Sequence, residues 1–157
     1  MYPVSVRDEP SRRVVGLTHT GPYPEVGPVF QRVAAAIGAA GLWPQARGGV
    51  MVAYSDPDST PPEELQSFAG VILAEGPESP GCPEGLEERT LAGGRHAVLE
   101  MTGPYERLHD AWGWLYGPWM AQAGERPAMA PAYEIYLNDP SDTPPDALRT
   151  DLYAPLG

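Results

Sequence analysis

The chain contains one pattern twice. Thr20-Gly21-Pro22-Tyr23 returns 82 residues later as Thr102-Gly103-Pro104-Tyr105. Internal repetition restricts a fold more than any lone motif, because both copies must adopt related local structure. The same offset carries Arg13 onto Arg95 and Leu17 onto Leu99, and Val26, Phe30, Val33 and Ile37 onto Leu108, Trp112, Leu115 and Trp119. Tyr54 then falls on Tyr136 and Val52 on Glu134. After one inserted residue, Asp56-Pro57 and Thr60-Pro61-Pro62 fall on Asp139-Pro140 and Thr143-Pro144-Pro145.

Each copy reads as strand, helix, strand, strand. Val14–Thr20 and Arg95–Thr102 are apolar or β-branched runs that stop at Gly-Pro, which cannot extend a ladder and turns the chain towards a helix. Apolar residues at three- and four-residue steps, Val26, Val29, Phe30, Val33 and Ile37, mark one face of a helix that Gly41 ends. Leu108, Ala111, Trp112, Leu115 and Trp119 mark the second, from about residue 106 to 122. Val50–Tyr54 and Ala132–Leu137 are the third elements, closed by Asp-Pro and Thr-Pro-Pro turns. Gln66–Leu73 and Leu148–Tyr153 are the fourth.

The expected fold class is therefore α+β: two strand-helix-strand-strand units about a pseudo-twofold axis, an antiparallel sheet, and a ligand cleft between the halves. At 157 residues the chain is long enough for one domain. It divides into repeat 1 (about 1–75), a Pro/Gly-rich linker (about 76–85) and repeat 2 (about 86–157).

Composition excludes several functions. Against 21 acidic residues stand 10 basic ones, all arginine, for a net charge of −11. Such a balance repels phosphate backbones, so direct nucleic-acid binding is not expected. Without lysine there is no Schiff base and no phosphate-loop lysine. The lone Cys82 cannot form an intrachain disulfide or a thiolate cluster, which suits a cytoplasmic location. No window is apolar enough to span a membrane, and residues 1–15 carry five charges rather than an export signal. His19, His96 and His109 lack ligand spacing and are expected to be partly exposed; neither a metal site nor a cofactor is expected.

The duplicated Thr-Gly-Pro-Tyr, the Asp-Pro and Thr-Pro-Pro turns, the Tyr133-Glu134-Ile135-Tyr136 strand and the closing Thr150-Asp151-Leu152-Tyr153-Ala154-Pro155 together resemble the GyrI-like small-molecule-binding family. That family is similar to the effector-binding domains of AraC-type and MerR-type regulators, and the resemblance covers essentially the whole chain. It implies a central cleft for drug-like or xenobiotic molecules with an acidic residue at its floor, the position Glu134 occupies. The chain begins at the first strand without a helix-turn-helix segment, so a stand-alone sensor or sequestering protein is expected.

Glu134 also stands out by itself, as a carboxylate where the other copy has an apolar residue. On the floor of an apolar cleft its pKa would rise, and a cation would restore its ionised form. The eight Tyr and four Trp against two Phe favour rings with a polar handle. Tyr54, Trp112, Tyr136 and Tyr153 are the rings expected beside Glu134, while Trp43 and Trp114 are candidates for a pocket mouth. Glu100 is expected to be solvated. The expected function is capture of amphipathic, cationic ligands. The resemblance also implies two alternatives: hydrolysis of strained cyclopropane-bearing DNA-alkylating natural products, with Glu134 activating water, and inhibition of DNA gyrase as a protein partner.

Overall fold

The structure, a computed structural model, describes residues 2–56, 58–75 and 80–157. In chain order the strands and α-helices are β1 (Val4–Glu9), β2 (Arg12–Thr20), α1 (Gly27–Ala39), β3 (Ala46–Ala53), β4 (Gln66–Leu73), β5 (Glu87–Leu91), β6 (Gly94–Thr102), α2 (Leu108–Trp114), α3 (Met120–Ala123), β7 (Ala132–Tyr136) and β8 (Arg149–Pro155). Pro57 of the first Asp-Pro and residues 76–79 of the expected linker lie outside the described residues.

Two compact units result, Pro10–Gly93 and Met1–Glu9 with Gly94–Gly157. In the first, the antiparallel ladder runs β5-β2-β4-β3, and in the second β1-β6-β8-β7. The α+β class and the antiparallel pairing are as expected. Each unit also has a strand that the hydrophobic pattern does not show, β5 beside β2 and β1 beside β6. Their sequences, VSVRDE and EERTL, are short and charged, and at most one residue in each is buried. Cross-strand pairing rather than alternation makes them strands.

Both helices start as foreseen. Gly21 and Gly103 take φ of 135° and 143°, values that side chains disfavour, and each Gly-Pro leads through a 3-10 turn into α1 or α2. At the end of α1, Gly41 at φ 69° lets Leu42 N–H reach Ile37 O at 3.0 Å and Gly41 N–H reach Gly38 O at 3.1 Å. That pair of bonds satisfies carbonyls the helix leaves open.

In the Pro10–Gly93 unit, α1 lays Val33 and Ile37 on Val15, Val71 and Leu73. In the other, Ala111, Leu115 and Met120 pack on Ala97, Leu99, Met101, Leu152 and Ala154. Full burial of such aliphatic side chains contributes about 1.5–3 kcal/mol each for the larger ones. Between α2 and α3 lies a π-helical turn, Leu115–Trp119, that contains Pro118. Proline lacks the N–H an α-helix would use there, and the wider turn absorbs the mismatch.

The strand registers correct one detail of the sequence alignment. Thr20 pairs with Gln66 and Thr102 with Arg149, and three residues further along Met51 faces Ala69 while Glu134 faces Leu152. Tyr54 N–H bonds Gln66 O just as Leu137 N–H bonds Arg149 O. Met51 therefore matches Glu134 and Leu137 matches Tyr54, one residue away from the Val52 and Tyr136 pairings expected at a constant offset. In a strand such a slip changes the face on which every side chain lies.

Candidate functional site

The site grows from alternation along β7. Glu134 and Tyr136 lie on the face that α2 covers, with Leu152 and Thr150 opposite them on β8, while Tyr133 and Ile135 lie on the other face. Trp112, one residue after the buried Ala111, sits on α2 where its indole reaches the sheet.

Glu134 is 4% exposed, and both of its oxygens are taken. The Trp112 indole N–H donates to Oε1 at 2.7 Å, and the Tyr136 hydroxyl donates to Oε2 at 2.6 Å. These are distances of charge-assisted bonds. Burial raises the carboxyl pKa above the ordinary glutamate range, and the bonds from Tyr136 and Trp112 oppose that rise. No cation neutralises Glu134 among its hydrogen-bond partners. Burial, followed by the Glu134 charge, pushes the Tyr136 phenol well up, so it stays a proton donor to the carboxylate.

A second layer of rings extends the site. Tyr105, from the second Thr-Gly-Pro-Tyr, lies 5.5 Å from Tyr136 at 59°, and Tyr116 stacks on Trp112 at 5.7 Å and 19°. Burial pushes the Tyr105 phenol up, with Asp139 and Glu134 adding to it, and pushes Tyr116 up to about 12. The Thr150 hydroxyl, facing Tyr136 across the ladder, is fully buried and has no hydrogen-bond partner among the described residues. Sequence reading missed Tyr105, Tyr116 and Thr150. Tyr105 closes a turn motif and carries no separate signal, Tyr116 follows Trp112 by four residues, the helical step that brings two rings onto one face, and a strand threonine carries no signal.

Of the five residues expected together, the structure unites Glu134, Trp112 and Tyr136. Tyr153 is 5% exposed and lies on the opposite face, stacked on Tyr133 at 4.8 Å and 9°, with His96 edge-on at 5.8 Å to Tyr133 and 6.3 Å to Tyr153. Pairing with Leu152 places Glu134 on one face, and Tyr153 is the next residue along β8. His96 is thus buried rather than partly exposed, with Nδ1 at 2.8 Å from Gly94 O. Tyr54 belongs to the Pro10–Gly93 unit and is 44% exposed. There it supports the protonated Arg89, which is held first by Glu87 and lies 5.3 Å over the Phe68 ring. Trp43 is 52% exposed, Trp114 lies 5.4 Å from Tyr2, and Glu100 is exposed as expected.

No group of three or more His, Cys, Asp or Glu residues able to hold a metal occurs among the described residues. No helix among them is long and apolar enough to cross a membrane. The geometry is that of an anionic point sunk among π-faces, with both carboxylate oxygens already hydrogen-bonded. A cation with an apolar body would meet both the carboxylate and the faces of the surrounding rings.

Comparison with known proteins bears on the family and the fold. The family model for a GyrI-like small molecule binding domain matches residues 2–156. A DNA gyrase inhibitor from Serratia proteamaculans is 32% identical over 146 residues, 87% of each chain. The EcmrR C-terminal domain superposes with a TM-score of 0.74 at 15% identity, covering 100% of this chain and 98% of that one. SAV2435, solved bound to tetraphenylphosphonium, gives 0.67 at 16% identity and covers 99% and 94%. At these identities the two structures establish the shared fold.

Proposed function

The chain belongs to the GyrI-like small-molecule-binding family, and from that premise we propose that it captures amphipathic, drug-like cations against Glu134, with Trp112, Tyr136, Tyr105 and Tyr116 as the aromatic wall. The observation that carries this reading is a buried carboxylate with two neutral hydrogen-bond donors and, among the described residues, no cationic hydrogen-bond partner. Desolvation of Glu134 is costly without a counter-charge, and a lipophilic cation supplies one while leaving both hydrogen bonds in place. Each ring facing a desolvated cation adds roughly 0.5–2 kcal/mol.

The test is calorimetric titration with tetraphenylphosphonium and with tetraphenylborate, its anionic counterpart of like shape. Phosphonium binds the wild type, and Glu134→Gln weakens it at least about tenfold, the worth of about 1.4 kcal/mol. Equal affinity of wild type and variant, or a preference for the borate, refutes the reading.

We read the two units as halves of one GyrI-like domain that arose by duplication. Their matching ladder orders and a family match running through both support this. A cytoplasmic location is proposed on the single exposed Cys82. A second reading, inhibition of DNA gyrase, is favoured by the 32% identical relative of that name. A supercoiling assay decides it: loss of supercoiling at stoichiometric protein supports it, and full activity at a large excess ends it.

A further inference from the structure

The Met1–Glu9 and Gly94–Gly157 unit has a concavity at the end of the β6/β8 ladder. It measures about 450 Å³ and is lined by Tyr2, Pro3, Glu100, Thr102, Arg107 and Arg149, a volume within the range of small-molecule pockets. None of these residues belongs to the Glu134 cluster.

Two observations give this pocket its chemistry. Arg107 and Arg149 line it without an ion pair among the described residues, whereas Arg13, Arg89 and Arg95 are each paired with a glutamate. Arg149 comes directly opposite Thr102 on the ladder, and Arg107 lies in the turn that follows β6. Two exposed guanidiniums lining one pocket, neither closed into an ion pair among the described residues and both near the Thr102 hydroxyl, suit the two oxygens of a carboxylate.

The second observation is an excess of negative charge beside them. Glu100 and Asp151 are direct cross-strand partners, an arrangement that disfavours both charges. Asp151 shows the conflict: burial and then Glu100 raise its pKa, Arg149 and Arg7 pull it down, and Glu9 adds to the rise. An ammonium at Glu100 would relieve that repulsion. The field of a chain with net charge −11 also works against a simple anion reaching the arginines, but it exacts no net penalty from a zwitterion.

The geometry points to a binding site for an α-amino carboxylate, with the carboxylate on Arg107 and Arg149, the ammonium on Glu100, and an apolar side chain against Pro3. Pro3 is fixed beside Glu100, whose backbone N–H donates to the Pro3 carbonyl at 3.0 Å. The site is independent of the Glu134 reading and stands or falls separately.

L-phenylalanine is the probe, titrated into the full chain while backbone amide shifts are followed by NMR. Saturable shifts at Thr102 and Arg149 are expected, with Tyr136 unmoved. Phenylalaninamide lacks the carboxylate and N-acetyl-L-phenylalanine the ammonium; each is expected to bind at least about tenfold more weakly, the loss of one charged hydrogen-bonding partner. The Arg107→Gln/Arg149→Gln variant is expected to lose L-phenylalanine to the same extent, and Glu100→Gln to bring its affinity down to that of the acetylated probe. Equal binding of all three probes to the wild type, shifts confined to the Glu134 cluster, or no saturation at Thr102 and Arg149 into the millimolar range overturns the assignment. The wild-type comparison alone is decisive if a variant does not fold.

Discussion

Replacing Glu134 by Gln tests the electrostatics of the site without any ligand. Glutamine has the shape of a protonated glutamic acid. Its carbonyl still accepts from Trp112, and its amide turns the Tyr136 hydroxyl from donor into acceptor, so both contacts of the wild type survive. At low pH the two proteins are expected to have similar stability. As pH rises, the unfolded wild type releases its proton from an ordinary glutamate, near pH 4.3, while the folded one holds it to a higher pH because burial has raised the pKa. Between those two values the folded state binds more protons than the unfolded state, so wild-type stability falls with rising pH. The contribution is fully present below the unfolded pKa and gone above the folded one. Within that window the variant gains on the wild type by about 1.4 kcal/mol per pH unit. For a chain of this size each kcal/mol corresponds to about 2–4 °C in melting temperature. Urea denaturation of both proteins from pH 4 to pH 8 measures the difference, from which the other titrating groups cancel because the two chains share them. Parallel curves, or a wild type that gains on the variant as pH rises, would refute the claim that desolvation dominates at Glu134.

Three further outcomes are expected. Trp112→Phe leaves Oε1 of a buried carboxylate without its donor and costs about 1.5–3 kcal/mol at neutral pH, less at pH 4, where Glu134 is closer to protonation; a stability loss equal at both pH values counts against the hydrogen bond. Gly70→Ala puts a Cβ 2.4 Å from Val15 O, whereas Gly113→Ala meets nothing within 4 Å inside α2, so the first destabilises by 3 kcal/mol or more, at about the upper end of overpacking, and the second stabilises by about 0.4–1 kcal/mol. Melting temperatures of the two variants measure both signs. Tyr116→Phe removes a phenol that ionises at about 12, and ultraviolet titration should show the loss at the high end of the tyrosinate curve and none near pH 10.

The helices and inner strands were legible because their signals are local. Val33 and Ile37 recur at helical steps and are fully buried, and Gly41 ends α1 as its position suggests. Glu134 was legible as an anomaly in an apolar strand. What the sequence concealed depends on pairing between distant segments. The charged strands β1 and β5 exist because β6 and β2 offer an edge, and no alternation marks them. The face that Tyr153 occupies follows from the Glu134–Leu152 register, which only the ladder shows. The same one-residue shift separates Tyr54 from Tyr136 and leaves Tyr54 beside Arg89 in the other unit. Tyr116 joined the site by an i, i+4 step from Trp112, a spacing the sequence did contain, but the stripe of Leu108, Ala111 and Leu115 drew the reading to the neighbouring face.

The division of the chain also imposes an order of events during synthesis. The Pro10–Gly93 unit is continuous, so it can pair all four of its strands as soon as β5 has emerged. The unit that holds Glu134 cannot: Val4 pairs with Leu99, and at ribosomal rates of roughly 5–20 residues per second β1 waits about 5 to 20 seconds for its partner. For most of that interval the neighbouring unit is itself incomplete, because β5 ends at Leu91, shortly before Leu99 is made, so β1 waits beside other unpaired strands. Its charged residues, Arg7, Asp8 and Glu9, are what a strand left waiting needs to stay unpaired with other nascent chains.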